Sequence, residues 1–199
     1  MLITKISRQK RDGYFSVFID GEYQFSLTDL TLSGSGLREG TTITEVDLAH
    51  WRQVSAIGKA LSVAYRYSAA RARSRQEVVR YLVGKQFEAG EIEQVVARLE
   101  AEGLIGDAKF ARDWVDLRTR TSPRGSRLLR QELKSKGVDK QTIELATATD
   151  REAEISSARS LIVQKRLVEK YSGQEQKLMA FMMRRGYDYS VIVAALRDE

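Results

Sequence analysis

One segment of this chain is written three times, and that repeat limits what the chain can fold into. Val78, Leu82, Phe87 and Ile92 recur 51 positions later as Leu129, Leu133, Val138 and Ile143, and again 49 positions on as Leu178, Met182, Tyr187 and Ile192. A period near 50 residues without strand-like alternation predicts stacked helical units, because each unit alone cannot bury its apolar face.

The backbone chemistry of each copy supports that reading. Gly137 follows Leu133-Lys134-Ser135-Lys136 and precedes Val138, the place just past a helix end where positive φ is easiest. This predicts a Schellman stop with Val138 packed on Leu133, repeated in the third copy by Met182, Gly186 and Tyr187. In the first copy the corresponding residues are Leu82, Gln86 and Phe87, so the apolar pair survives without the glycine, and a strained or differently closed turn is expected. Ser74-Arg75-Gln76-Glu77 fits a capping box, whereas Gly125 at the equivalent place is a weaker cap. Ile92, Val95, Val96 and Leu99 form one buried helical face. Copy two keeps Ile143 and Ala146 but has Thr147 and Asp150 next, which predicts a shorter or less buried helix. A leading helix is clearest in copy two, where Asp107 is expected to cap a segment with Phe110, Trp114 and Leu117 on one face.

Residues 1–47 read differently. Tyr14 to Ile19 and Tyr23 to Leu27 are rich in aromatic and β-branched residues, and Asp20-Gly21 between them is a strong two-residue hairpin signal. A second Asp-Gly pair, Asp12-Gly13, precedes the first strand, Ile3 to Arg8 supplies a third, and Ser33-Gly34-Ser35-Gly36 is expected to be a flexible loop. From Leu48 the helical pattern begins, with Ala49, Val54, Ile57 and Leu61 as candidates for its inner face. The only proline, Pro123, marks the break between the first two helices of the second unit. The expected organisation is mainly α: a tandem array of three three-helix modules at 48–105, 106–150 and 151–199, preceded by a small antiparallel β-hairpin or meander at 1–47. Modules this small are marginal alone and gain buried surface from neighbours or from a partner.

Charge follows the same division. Residues 1–50 carry a net charge of −2 and residues 51–199 a net charge of +8. Basic residues cluster at Arg71, Arg73, Arg75 and Arg80, and more densely at Arg118, Arg120, Arg124, Arg127, Arg130, Lys134 and Lys136. Arg127, Arg130 and Lys134 share one helix face by their spacing. For any single arginine a solvated helix surface is the commoner explanation. The whole cluster spans a loop and the following helix start, which favours a contact surface for nucleic acid or an acidic protein groove.

Chemistry for catalysis is sparse. There is no cysteine and one histidine, His50, which has no partner for a metal site or a triad and reads as a surface or helix-end residue. Gly34-Ser35-Gly36-Leu37-Arg38-Glu39-Gly40 misses the dinucleotide fingerprint by one position, and no Gly-Lys-Ser/Thr phosphate loop exists. Glu91 with Glu93, and Asp113 with Asp116, sit among basic residues on predicted helices, where exposed ion pairing is the usual role. Phe87, Phe110, Trp114, Phe181 and Tyr187 fall at packing positions, which leaves Tyr65 and Tyr67 as the aromatics open to another use. No catalytic residue, metal ligand or cofactor is expected. The N-terminus lacks a signal-peptide core and no uncharged stretch reaches membrane-span length, so a cytoplasmic protein without membrane contact is expected.

Ala72-Arg73-Ser74-Arg75-Gln76-Glu77-Val78, Leu99-Glu100-Ala101-Glu102-Gly103-Leu104-Ile105-Gly106-Asp107 with Phe110-Ala111, and Gly125 leading into Gln131-Glu132-Leu133-Lys134-Ser135-Lys136-Gly137-Val138 together resemble the bacterial RecX family. Met183-Arg184-Arg185-Gly186-Tyr187 and Ile19-Asp20-Gly21-Glu22-Tyr23 extend the resemblance over nearly the whole chain. It departs at Gly106-Asp107, where members usually carry two acids, which puts any partner contact by the first acid in doubt. The resemblance implies a regulator that binds filaments of the RecA recombinase on single-stranded DNA, and duplex DNA at most weakly. It implies limits on ATP hydrolysis, filament growth and strand exchange, and so a role in recombination, DNA repair and the SOS response. A tandem array suits a long groove and has no need of a dimer, so a monomer is expected. The bets for partner or DNA contact are Arg71, Arg73, Arg75, Arg118, Arg120, Arg124, Arg127, Arg130 and Lys134. An autonomous DNA-binding protein of helix-turn-helix type is the alternative, and a helical adaptor for another acidic protein is the third reading.

Overall fold

The structure is a computed structural model that describes residues 1–10 and 13–197. It opens with an antiparallel three-stranded sheet in the order β1 (Ile3–Arg8), β2 (Tyr14–Ile19), β3 (Glu22–Thr28). Asp20 and Gly21 both take positive φ, 49° and 89°, the geometry of a type I′ turn, whose twist matches the strands it joins. Of the other expected Asp-Gly turn, Gly13 has φ 77°, while Asp12 lies outside the described residues.

The expected loop at 33–36 is instead the end of a helix, α1 (Asp29–Ser35). Thr28 caps it by accepting from the Thr31 N–H at 3.2 Å, and Gly36 closes it in the left-handed region. A cap at one end and a left-handed stop at the other outweigh the Ser/Gly composition between them.

The remaining helices are α2 (Glu45–Ala69), α3 (Arg75–Val83), α4 (Ala89–Ala101), α5 (Asp107–Thr121), α6 (Ser126–Ser135), α7 (Lys140–Ala146), α8 (Arg151–Gln164), α9 (Leu167–Lys170), α10 (Glu175–Arg184) and α11 (Tyr189–Leu196). The chain separates into two compact units, residues 1–71 with 78–102, and residues 72–77 with 103–197.

In the first unit the inner face of the sheet (Ile3, Val17, Ile19, Phe25, Leu27) forms a core with Ile43, against which Leu48, Trp51 and Val54 of α2 pack. α2 also packs on α4. Its inner face differs from the expected one: Ser55, Ala60 and Ala64 are buried, Val54, Ile57 and Leu61 only half-buried, and Ala49 exposed. Small residues let the helix axis come close to its neighbours, so the large ones are displaced to the flanks. Tyr65 donates a hydrogen bond to Glu102 at 2.6 Å, and Tyr67 stacks on Tyr81 at 3.9 Å between centroids. Both aromatics left open by the sequence therefore have partners within this unit.

In the second unit α5 packs on α7, and α8 on α11. The first core there is Phe110, Ala111, Leu133, Val138 and Ile143; the second gathers Ile155, Ala158, Leu161, Ile162, Leu167, Leu178, Met182, Tyr187, Val191, Ile192 and Ala195. Leu117 is 45% exposed, so the inner face of α5 ends at Trp114 and Val115 rather than running on to Leu117. α7, with 7 residues against 13 in α4, is the shorter helix foreseen from Thr147 and Asp150.

The three helix stops are the same turn. Phe87, Val138 and Tyr187 donate to the carbonyls of Leu82, Leu133 and Met182 at 3.3, 3.2 and 3.3 Å. Gln86 takes φ 64° where Gly137 and Gly186 take 81° and 91°. The first copy thus keeps the hydrogen bond and accepts backbone strain in a side-chain-bearing residue.

Candidate functional site

The basic residues singled out by the sequence fall into three groups. Arg71, Arg73 and Arg75 lie on the segment that leaves α2 and enters α3. Arg71 and Arg75 are exposed, and half-buried Arg73 lines a shallow cleft with Lys109 and Asp113. The capping box forms as the sequence indicates: Ser74 Oγ accepts from the Glu77 N–H at 3.1 Å, and the Glu77 carboxylate from the Ser74 N–H at 3.3 Å. Asp107 behaves otherwise than foreseen. It is the first residue of α5 rather than its cap, and its carboxylate accepts from the Arg75 N–H at 3.0 Å. It therefore supports the start of α3, where the helix dipole favours negative charge.

The second group turns inward. Glu132 of α6, whose side chain is 17% exposed, pairs with both Arg118 and Arg124. Arg118 Nε donates to Glu132 at 3.3 Å, and Trp114 Nε1 donates to the same carboxylate oxygen at 2.9 Å. The Trp114 ring takes the Arg118 guanidinium at 4.3 Å and the Lys136 ammonium at 5.3 Å from its centroid, an arrangement that the ring quadrupole favours. Lys136 also pairs with Glu77 at 2.8 Å. Burial, and then the nearby charges of Arg118 and Arg185, press the Arg124 guanidinium below its ordinary pKa. Arg118 and Arg124 thus tie α5 and the Pro123 loop to α6.

The third group lies along α6 and the end of α5. Arg120, Arg127, Arg130 and Lys134 are exposed. Arg127 Nη2 donates to the Met183 carbonyl at 2.6 Å in the last turn of α10, where a cation is favoured. Arg130 Nε donates to Thr147 Oγ1 at 3.2 Å and lies 3.6 Å from Glu144. Arg120 Nε donates to the Asp116 carbonyl of its own helix at 3.4 Å. Arg120, Arg130 and Lys134 stay exposed, Arg130 while paired with Glu144.

Sequence reasoning did not single out Glu132, Trp114 as a cation platform, or Arg185, which donates to Ser122 Oγ at 3.2 Å and sits over the Phe181 ring at 5.3 Å. One signal was available: Glu132 is the only acid between Arg118 and Lys136, and an isolated acid in a basic run is a natural counter-ion. Among the described residues no group of His, Asp and Glu is arranged to hold a metal ion, and no helix is long and apolar enough to cross a membrane.

Two family models match the chain, the first three-helix domain of RecX over residues 60–99 and the second over residues 107–146. The regulatory protein RecX of Lactobacillus delbrueckii subsp. bulgaricus is 30% identical over 206 aligned positions, covering 99% of this chain and 74% of the relative. That of Listeria innocua is 28% identical, covering 96% and 73%. A crystal structure of regulatory protein RecX superposes with a TM-score of 0.78 at 26% identity, over 100% of this chain and 99% of that one. With these matches spanning both the N-terminal sheet and the helical repeats, the chain belongs to the RecX family of regulatory proteins.

Proposed function

We propose that the chain binds filaments of the RecA recombinase on single-stranded DNA and limits their ATP hydrolysis, extension and strand exchange, acting as a soluble cytoplasmic monomer without a cofactor. The observation that carries this reading is the outward basic face of α6 and the end of α5, with Arg120, Arg130 and Lys134 presented from a helical framework that Glu132 anchors from within. Such a face fits acidic protomer surfaces and DNA phosphates alike. The segment of Arg71, Arg73 and Arg75 is the second contact region. Arg118 and Arg124 contribute indirectly, by holding the loop and helix that present the others, and Arg127 does both, since its guanidinium also closes α10.

The test is the rate of ATP hydrolysis by preformed RecA filaments on single-stranded DNA, with sub-stoichiometric protein, at two salt concentrations. The rate should fall by more than competition for naked DNA explains. Replacing Arg120, Arg130 and Lys134 together by Glu should weaken the effect by about tenfold or more, with the circular dichroism spectrum unchanged. An unchanged rate, with tight and strongly salt-dependent binding to a duplex site, would assign the chain to the helix-turn-helix reading instead.

A further inference from the structure

The second unit contains the same joint twice. At the start of α3, the Asp107 carboxylate from α5 accepts the Arg75 N–H, and Ser74 Oγ donates to the Lys136 carbonyl at 2.7 Å, beside the Gly137 turn. At the start of α6, the Glu154 carboxylate from α8 accepts the Ser126 N–H at 2.9 Å, and the Gly125 N–H donates to the Arg185 carbonyl at 3.0 Å, beside the Gly186 turn. In each case a helix start receives an acid from the leading helix of the following repeat and lands on that repeat's glycine turn.

The groove next to the α6 start shows what this joint covers. It is lined by Ser126 and Leu129 of α6 and by Thr147, and α8 closes its side with Ala153, Glu154 and Ser157, leaving a volume of about 180 Å³. The same positions 49 residues on are Glu175, Leu178 and Leu196. They line a groove of about 500 Å³ together with Val168, Tyr171, Met179, Tyr189 and Val193. This second groove is the larger of the two, and Tyr189 and Val168 at its rim are 64% and 48% exposed. The α10 start beside it has no side-chain cap, as at Gly125, and over residues 165–177 the exposed cations Lys165, Arg166, Lys170 and Lys177 outnumber the exposed acids Glu169 and Glu175.

We propose that this groove is a docking site for an amphipathic α-helix of a partner protein that carries an Asp or Glu in its first turns. The occupant is identified by the preceding repeat, where α8 fills the equivalent place. α8 has Glu152 and Glu154 in its first turn, and Glu154 reaches the open helix start. A docked helix would set its apolar side chains on Leu178, Met179, Val193 and Leu196. Its acid would meet the N–H groups at the start of α10, and the flanking lysines would favour the same end of that helix.

The probe is a fluorescein-labelled peptide of residues 149–164 of this chain, titrated into the full chain by anisotropy. Saturable binding is expected, with the methyl resonance of Met179 moving and that of Met1 staying in place. Val168→Glu and Tyr189→Glu change exposed residues and should leave the thermal midpoint within a few degrees while weakening binding about tenfold or more. A peptide with Glu154→Lys should bind more weakly to the unchanged chain. Absence of saturable binding, or binding indifferent to both groove variants, overturns the proposal. So does concentration-dependent self-association that the same variants abolish, which would give the groove to a second copy of the chain. None of these readouts depends on recombinase or DNA.

Discussion

Glu132 is the shared counter-ion of Arg118 and Arg124, and removing its carboxylate tests the framework that presents the basic face. Its side chain is 17% exposed and balances Arg118, 25% exposed, and Arg124, 17% exposed, while accepting from the Trp114 indole. Removing one member of a buried ion pair costs about 3–5 kcal/mol, because the partner charge stays buried without compensation. Residual solvent access at Arg118 lowers that figure, and the lost indole hydrogen bond adds about 1 kcal/mol. Glu132→Ala is therefore expected to cost about 3 kcal/mol, a fall in melting temperature of about 6–12 °C for a chain of this size. The assay is urea unfolding followed by Trp114 fluorescence in a Trp51→Phe background, which isolates this region. The double replacement Arg124→Met with Glu132→Leu removes both charges at similar volume and should recover at least half of the loss. A cost under about 1 kcal/mol for Glu132→Ala, or a double variant no more stable than the single one, would refute the counter-ion role.

Three further outcomes test other parts of the fold. Burial raises the Tyr187 hydroxyl from its ordinary pKa of 10.0 to about 12. The folded chain keeps a proton that the unfolded chain releases, so this stabilisation is fully present below pH 10 and is lost as pH rises through 12, about 2–3 kcal/mol in all; Tyr187→Phe should flatten that part of the stability profile measured by urea titration, and an unaltered slope would count against it. Gln86→Gly should raise stability by about 0.5–1 kcal/mol by relieving the left-handed backbone, as read by thermal unfolding. Gly125→Ala should lower it by about 2–3 kcal/mol although its φ of −69° suits any residue, because an added Cβ would meet the Gly186 carbonyl group and the Tyr187 N–H; a neutral result in the same assay would mean that this joint opens easily.

Features that depend on a few adjacent residues were legible in the sequence. The Asp20-Gly21 hairpin, the three helix stops and the Ser74 capping box each have local causes, and each forms with the expected hydrogen bonds. One local signal was passed over, since the Ser/Gly run at 33–36 closes a helix that Thr28 caps. Features set by what a segment meets in space were not legible. α2 buries Ser55, Ala60 and Ala64 because its neighbours come close, which hydrophobicity alone does not register. The same limit applies to the basic cluster. Charge density along the chain marked the region, but direction separates its members: Arg118 and Arg124 turn in to Glu132, while Arg120, Arg130 and Lys134 turn out.

The three repeated turns show how packing and backbone conformation combine to select a residue. All three positions take positive φ, yet only two are glycine. At Gly137 an added Cβ would meet the side chain of Gln76, and at Gly186 it would come within 2.5 Å of Leu128 Cβ and of its backbone nitrogen. Those neighbours sit on the α3 and α6 starts, so glycine there is required by contact as well as by φ. Gln86 is exposed; with φ as the only demand, the cost of a side chain is about 1 kcal/mol, small enough to be carried. The residue at each turn therefore records whether a helix start lands on it. A variant series at these positions should show this as a difference in size, with Gly186→Ala costing several times what separates Gln from Gly at position 86. Equal costs at the two sites would mean that φ alone governs the turns and that the joints add nothing to their stability.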